Sequence, residues 1–261
     1  MVIMAIVGMV LTRFMLDNSR LASQQDAWRQ ARGVSRGALG VLRSDLRPLE
    51  VSNGVVAAAA RDITVRSPYA FGVVCRATGA LTTVSLLPAD SVRYAAGSFS
   101  GFAWRDSLST YHYLEGGITV GTGTAAACQV DSVTTLTRGR VITLSPGAPT
   151  AAPPGTPVFL FRRVRFEFKN STAFPGRQGL WRTLVASGVA DEIAAPMDTS
   201  SRFNFYRLNR DTAQAAVPSP LSDLRGFEVV LNGASVRTPF GAAVPKLSRA
   251  TTAIFFQNRL R

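Results

Sequence analysis

The chain opens on residues Met1 to Leu11 without one charged or strongly polar side chain. Thr12 and Arg13 follow, then Phe14, Met15 and Leu16. As a helix, residues 1–16 rise about 24 Å, short of the roughly 20 residues that cross a bilayer core. Three readings compete. A secretory signal places basic residues before its apolar stretch and a small-residue cleavage site after it; nothing basic comes before Met1–Leu11, and TRFMLDNSR is a poor site. A buried core helix seldom begins so uniformly apolar at the extreme terminus. A membrane helix whose beginning is missing fits best, with Arg13 snorkelling to the interface. The residues facing lipid or neighbouring helices are then Val2, Ile3, Ala5, Ile6, Gly8, Val10, Leu11, Phe14 and Leu16. Among them Ala5 and Gly8 permit close helix–helix approach.

No helix breaker interrupts the pattern before Pro48. Leu21, Trp28, Ser35, Leu42 and Leu49 recur every seven residues, and Leu39, Leu42, Leu46 and Leu49 share one helical face. The spacing predicts one helix from about residue 2 to about residue 46, apolar all round at first and one-sided later. Trp28, Leu39, Leu42, Leu46 and Leu49 are expected to pack its second half onto a globular domain. Gly33, Gly37 and Gly40 each weaken the helix by roughly 1 kcal/mol relative to Ala; they mark a bend or a close packing surface.

Residues 48–261 read differently. Short β-branched and aromatic runs lie between Gly, Pro, Asn and Ser. Expected strands are Ile63–Arg66, Phe71–Arg76, Thr82–Leu87, Gln129–Leu136, Val141–Leu144, Val158–Lys169, Gly179–Val185, Arg202–Leu208, Gly226–Asn232 and Thr251–Asn258. Alternation such as Val-Arg-Phe-Glu-Phe over Val164–Phe168 suits an antiparallel sheet with one face buried. The proline-rich stretch Ser145–Pro157 is a loop or a subdomain break, and Ala95–Tyr113 has no clear period. The fold class is α+β: a long amino-terminal helix (1–47) packed on a mainly antiparallel β domain (48–261).

A hydrophobic fraction of 46% against 17% charged excludes wholesale disorder. The net charge of +13 comes almost entirely from arginine, for Lys169 and Lys246 are the only lysines. Such a charge invites nucleic-acid binding, and Trp104-Arg105 and Trp181-Arg182 are candidate stacking sites. The arginines, however, are scattered, as on an ordinary solvated surface. His112 is the only histidine, and no Gly-x-Ser-x-Gly elbow or phosphate loop occurs. The residues therefore suggest no catalytic, metal or cofactor site. Cys75 and Cys128 are either a disulfide or two buried thiols.

The order of motifs resembles the type IV pilin-like proteins, in particular the minor pilin W and type II secretion pseudopilin J group. Leu42-Arg43-Ser44-Asp45-Leu46-Arg47 carries that group's helix-ending motif, in which Asp45, Leu46 and Arg47 are the matching positions. Gly179-Leu180-Trp181-Arg182, Phe203-Asn204-Phe205-Tyr206, Leu224–Leu231 and Ile254–Arg259 follow in the group's order. The basic leader and the Phe-Thr-Leu-x-Glu start are not present, so the resemblance implies that about ten mature residues and a leader precede Met1. It implies a non-enzymatic subunit of the bacterial inner membrane with its β domain in the periplasm. Its partners are other pilins or pseudopilins and membrane lipid, and its place is at or near the tip of a pilus or secretion pseudopilus, where it primes assembly. A DNA-binding minor pilin for DNA uptake is the alternative. An oxidising periplasm favours the Cys75–Cys128 disulfide.

Overall fold

The computed structural model describes residues 2–78, 80–94, 96–108, 110–128, 139–148 and 152–257. The expected strand Gln129–Leu136 lies outside them. Helix α1 runs unbroken from Val2 to Leu46. Strands β1 (Val55–Ala58), β2 (Asp62–Ala77) and β3 (Thr82–Leu86) follow, then a short helix α2 (Pro88–Arg93). Next come β4 (Gly101–Arg105), β5 (Tyr111–Glu115), β6 (Thr119–Thr122), helix α3 (Ala125–Cys128) and β7 (Val141–Ser145). The chain continues through β8 (Pro157–Asn170), β9 (Gln178–Leu184), β10 (Ala190–Met197), β11 (Arg202–Arg207), β12 (Leu224–Ala234) and β13 (Leu247–Phe255). The architecture is α+β, a long amino-terminal helix on a large antiparallel sheet, as the sequence implies.

Two long strands form the spine. β2 and β8 pair antiparallel from Asp62↔Glu167 to Val73↔Pro157, with one irregularity between Pro68 and Ala70. The expected strands Ile63–Arg66 and Phe71–Arg76 are thus one element. Pro68 does not end it, because a bulge absorbs the residue that cannot donate to the ladder. Towards one end β2 is flanked by β1 and β8 by β9. Towards the other, β3 and β4 take those places.

The spine therefore passes through two cores. In the first, Ile63 and Val65 of β2 and Val164, Phe166 and Phe168 of β8 meet Leu42, Leu46 and Leu49 from the helix end, together with Phe203, Phe205 and Phe227. In the second, Ala70, Val74, Val158 and Leu160 of the same strands meet Val84, Leu86, Phe102, Trp104 and Leu144. The stretch 145–157 contributes Ala148 and Ala152 to this second core, while Pro153, Pro154 and Gly155 are exposed. The two cores are divided across β2 and β8 rather than at that loop.

Glu50, just past the helix, reaches across to β5. Its carboxylate accepts the backbone N–H groups of Ser52 and Asn53, both at 2.7 Å, and the Tyr113 hydroxyl at 3.2 Å. Burial pushes the Tyr113 phenol up, and the neighbouring Glu50 carboxylate adds to that rise. Alongside, Arg66 forks onto Glu115 from Nε and Nη2 at 3.1 and 2.9 Å.

α1 lies over β10, β12 and β13 with its second half. Leu42, Leu46 and Leu49 are fully buried there and Leu39 is half-buried. Trp28 departs from expectation: it is 43% exposed, with the Arg32 guanidinium over its ring at 5.0 Å. The buried seam at that height is Ala27, Ala31, Ser35 and Ala38. A Cβ on Gly233 of β12 would collide with the Ala31 carbonyl and the Ser35 hydroxyl. Helix and sheet approach too closely for an indole to lie between them, so the ring is turned aside. Leu46→Ala is expected to destabilise the domain by about 2–5 kcal/mol, since transfer and cavity terms add. Trp28→Ala should stay within about 0.5 kcal/mol; urea denaturation of the two variants checks the contrast.

The Arg66 hydrogen bonds, partly opposed by burial, hold the Glu115 carboxyl below its ordinary value of 4.5. A depressed folded value means that this contribution to stability is present above about pH 4.5 and is lost as pH falls through the folded value. Glu115→Gln should flatten the acid limb of the stability curve, read as the denaturation midpoint between about pH 5 and pH 3.

Candidate functional site

Among the described residues of α1, the large apolar side chains from Ile3 to Leu16 are exposed. The helix forms because residues 2–46 hold no proline and mostly unbranched or small side chains, and Thr12 donates its hydroxyl to the Gly8 carbonyl at 2.8 Å. Ile3, Met4, Ile6, Val7, Met9, Val10, Leu11, Phe14, Met15 and Leu16 are all exposed, Met4 at 82% and Phe14 at 70%. Val2 and Ala5 lie on the same helix, and a Cβ on Gly8 would meet nothing. The expected stem residues therefore share one element, and the large ones from Ile3 to Leu16 are apolar and exposed together. A patch of this size on a folded chain marks a protein or membrane contact. Among the described residues, no helix is long and apolar enough to cross a membrane.

The stem meets the domain from Ser23 onward. Ser23 Oγ accepts the backbone N–H of Phe240 at 3.0 Å, and the Arg20 guanidinium sits over the Phe240 ring at 5.6 Å. Further along, Ser35 bridges two strands: its oxygen accepts the Gly233 N–H at 2.9 Å and lies 3.0 Å from the Ser248 carbonyl, to which it donates. Arg43 donates to Thr252 Oγ1 at 2.9 Å. Gly33, Gly37 and Gly40 play no part in the closest contact: a Cβ on any of them would meet nothing, and the helix passes through them without interruption. The close approach belongs to Gly233 instead. Sequence reasoning missed Gly233 and Ser248; the available signal was Ala27, Ala31, Ser35 and Ala38, small residues three and four apart.

Segments that are distant in the chain meet at the end of α1. Asp45 accepts from Arg182 Nε at 2.9 Å, and both side chains are more than four-fifths buried. Burial lowers the Arg162 guanidinium, the charge of Arg182 lowers it further, and Asp45 opposes both. Asp45 is thus the negative charge between two crowded arginines. Leu46 fills the first core. Arg47 accepts the Gln257 N–H through its carbonyl at 3.0 Å. Its guanidinium donates to the Gln257 amide oxygen at 2.7 and 2.9 Å, with the amide turned to face it. Asp45, Leu46 and Arg47 so join the helix to β9 and to the end of the last strand.

In the second half of the domain, Cys75 of β2 and Cys128 of α3 form a disulfide spanning a sequence separation of 53. His112 of β5 lies 2.8 Å from Asp106 Oδ2 and stacks on Trp104 at 5.5 Å. Its hydrogen bond is the main reason that the Asp106 carboxyl is held low. Trp104 is a core residue at 2% exposure, and Trp181, at 9%, is capped by Lys169. Neither ring has a free face for a base, which corrects the stacking expectation. No group of three His, Cys, Asp or Glu suited to a metal occurs among the described residues.

Comparisons against protein-family models, curated proteins and solved structures return no match.

Asp45→Ala leaves Arg182 and Arg162 uncompensated and should cost about 3 kcal/mol. Pairing it with Arg182→Met should recover much of that loss. A double-mutant cycle by thermal denaturation checks the coupling.

Proposed function

We propose that this chain is a structural subunit of a type IV pilus-like filament, of the minor pilin or type II pseudopilin kind. One observation carries the reading: a single 45-residue helix is docked on its domain only from about Ser23 onward, and leaves an apolar half exposed. Such a half is stable in two settings, lipid and a bundle of similar stems. The proposed subunit passes from one to the other. It waits in the bacterial inner membrane with its β domain in the periplasm, and then enters the filament core while the domain stays outside. Close packing rather than exclusion of water selects partners in that step, and the small residues at Ala5 and Gly8 suit it. The role is structural, with no catalytic step.

The motif order that resembles this group supports the same reading. Asp45 and Arg182 belong to two of those motifs, and Arg47 and Gln257 to the first and the last; each pair is in contact. The position proposed for the subunit, by the resemblance, is at or near the filament tip, where it primes assembly. The Cys75–Cys128 disulfide suits a periplasmic domain. A DNA-binding reading lacks the aromatic platforms it would use, since Trp104 and Trp181 are buried.

The test substitutes the stem without touching the domain. Ile6→Asp and Val10→Asp each place a carboxylate where a membrane helix tolerates it at a cost of about 2.5–3.5 kcal/mol, on the order of a hundredfold in partition. The expected outcome is loss of the chain from the inner-membrane fraction and from sheared filaments, with the thermal midpoint of the β domain unchanged. A wild-type chain recovered wholly in the soluble fraction, with its stem residues protected, overturns the reading.

A further inference from the structure

The sheet has one long edge that the fold leaves open. β13 pairs with β12 alone, in an unbroken register from Gly226↔Phe255 to Ala234↔Leu247. Phe256 donates to the Arg225 carbonyl and Ser235 to the Lys246 carbonyl, so the even-numbered residues of β13 point their backbone groups at β12. In an antiparallel ladder the alternate residues point the other way. The N–H and C=O groups of Leu247, Arg249, Thr251, Ala253 and Phe255 therefore face outward, and the same five residues have exposed side chains. Among the described residues no segment pairs with that side.

Edges of this kind are normally blunted by charge, proline, a bulge or a covering segment. β11 shows the last device: Phe205 exchanges both hydrogen bonds with Gln214, and Phe203 donates to the Ala60 carbonyl. β13 carries one charge, no proline and no bulge. The end of α1 and residues 253–257 also line a cleft of about 500 Å³, with Arg43 and Arg47 in its wall. Each of these guanidiniums has five donors. Arg43 uses one on Thr252, and Arg47 uses two on Gln257. On the opposite face Arg249 is exposed. Glu228, the acid on the neighbouring strand, is turned towards Asn204 and accepts from its amide at 2.6 Å.

We propose that the open edge of β13 binds an extended, acidic strand of a different polypeptide, which adds to the sheet. Backbone hydrogen bonds supply the attachment. Acidic side chains on alternate positions enter the cleft beside Arg43 and Arg47. A second copy of this chain does not fit, because it brings a charge of +13 towards +13. The inference does not depend on what holds the stem.

The experiment uses the full chain in detergent micelles. The probe is a blocked peptide of β13's length that alternates glutamate with valine, and amide hydrogen exchange is the readout. The expected result is added protection at Leu247, Arg249, Thr251, Ala253 and Phe255. A lysine-for-glutamate peptide should bind about tenfold more weakly, the sum of a few exposed charge pairs. Thr251→Pro removes one outward N–H at a position where an edge strand tolerates proline; it should abolish peptide binding and leave the thermal midpoint near wild type. Arg43→Gln with Arg47→Gln should narrow the difference between the two peptides. Three outcomes overturn the proposal: no protection of the edge amides at millimolar peptide, equal binding of the two peptides, or binding that survives Thr251→Pro. Concentration-dependent dimerisation abolished by Thr251→Pro overturns it in favour of pairing between copies. Because the readout is the β13 edge, failure here leaves the stem reading standing, and soluble behaviour of the stem leaves this result standing.

Discussion

The placement of the long helix depends on the close contact between the second half of α1 and the strands β10, β12 and β13. At one end of that contact Leu42, Leu46 and Leu49 enter the first core, and each buried leucine contributes about 1.5–3 kcal/mol. At the other end the Ala31 carbonyl and the Ser35 hydroxyl lie directly against the sheet at Gly233. There the contact gains little area, and its attraction comes from dispersion at short range and from the Ser35 hydroxyl shared between Gly233 and Ser248. The two kinds of contact do different jobs. Leucines hold the helix down, while small residues and one hydroxyl fix its height and rotation.

The helix was legible in the sequence nearly to its last residue, because a breaker-free run ending at Pro48 leaves few other conformations. Its packing face was only half legible. The seven-residue recurrence placed Leu42 and Leu49 correctly and Trp28 wrongly, since periodicity reports direction and not clearance. Large and small residues point the same way along a seam, and only the partner surface decides which of them fits. Gly233 sets that clearance, and a lone glycine in a strand does not announce what approaches it.

The strands divide along similar lines. β8, β9, β11 and β12 alternate or concentrate β-branched and aromatic residues, and they lie where expected. β10, Ala190–Met197, carries two acids, three alanines and a proline, so propensity argues against it. It forms because β9 offers a partner edge at its side. β5 is half-buried at all five positions and shows no alternation. Its place follows from pairing with β4 and from Tyr113 reaching Phe159, Phe161 and Glu50. Such elements are made by tertiary contact, and local sequence carries little of that information. The Asp45–Arg182 pair shows the same limit: the two residues belong to separate motifs, and nothing short of the fold brings them within hydrogen-bond reach.

A stem that continues without a hinge into a tightly docked half has a mechanical consequence. Gly33, Gly37 and Gly40 are weak points in the docked half of α1, yet each lies beside residues already pinned to the sheet: Ala31, Ser35, Ala38 and Leu42. Bending there requires breaking buried contacts, so the intrinsic weakness of glycine is offset by tertiary packing. The direction of the exposed half is therefore set by the domain through the seam and the Ser23–Phe240 bond beyond it. Whatever grips the stem also orients the sheet, including the open edge of β13. In the proposed filament, this rigidity lets the packing of stems at the centre determine which edge each domain presents outside, without any contact between the two surfaces.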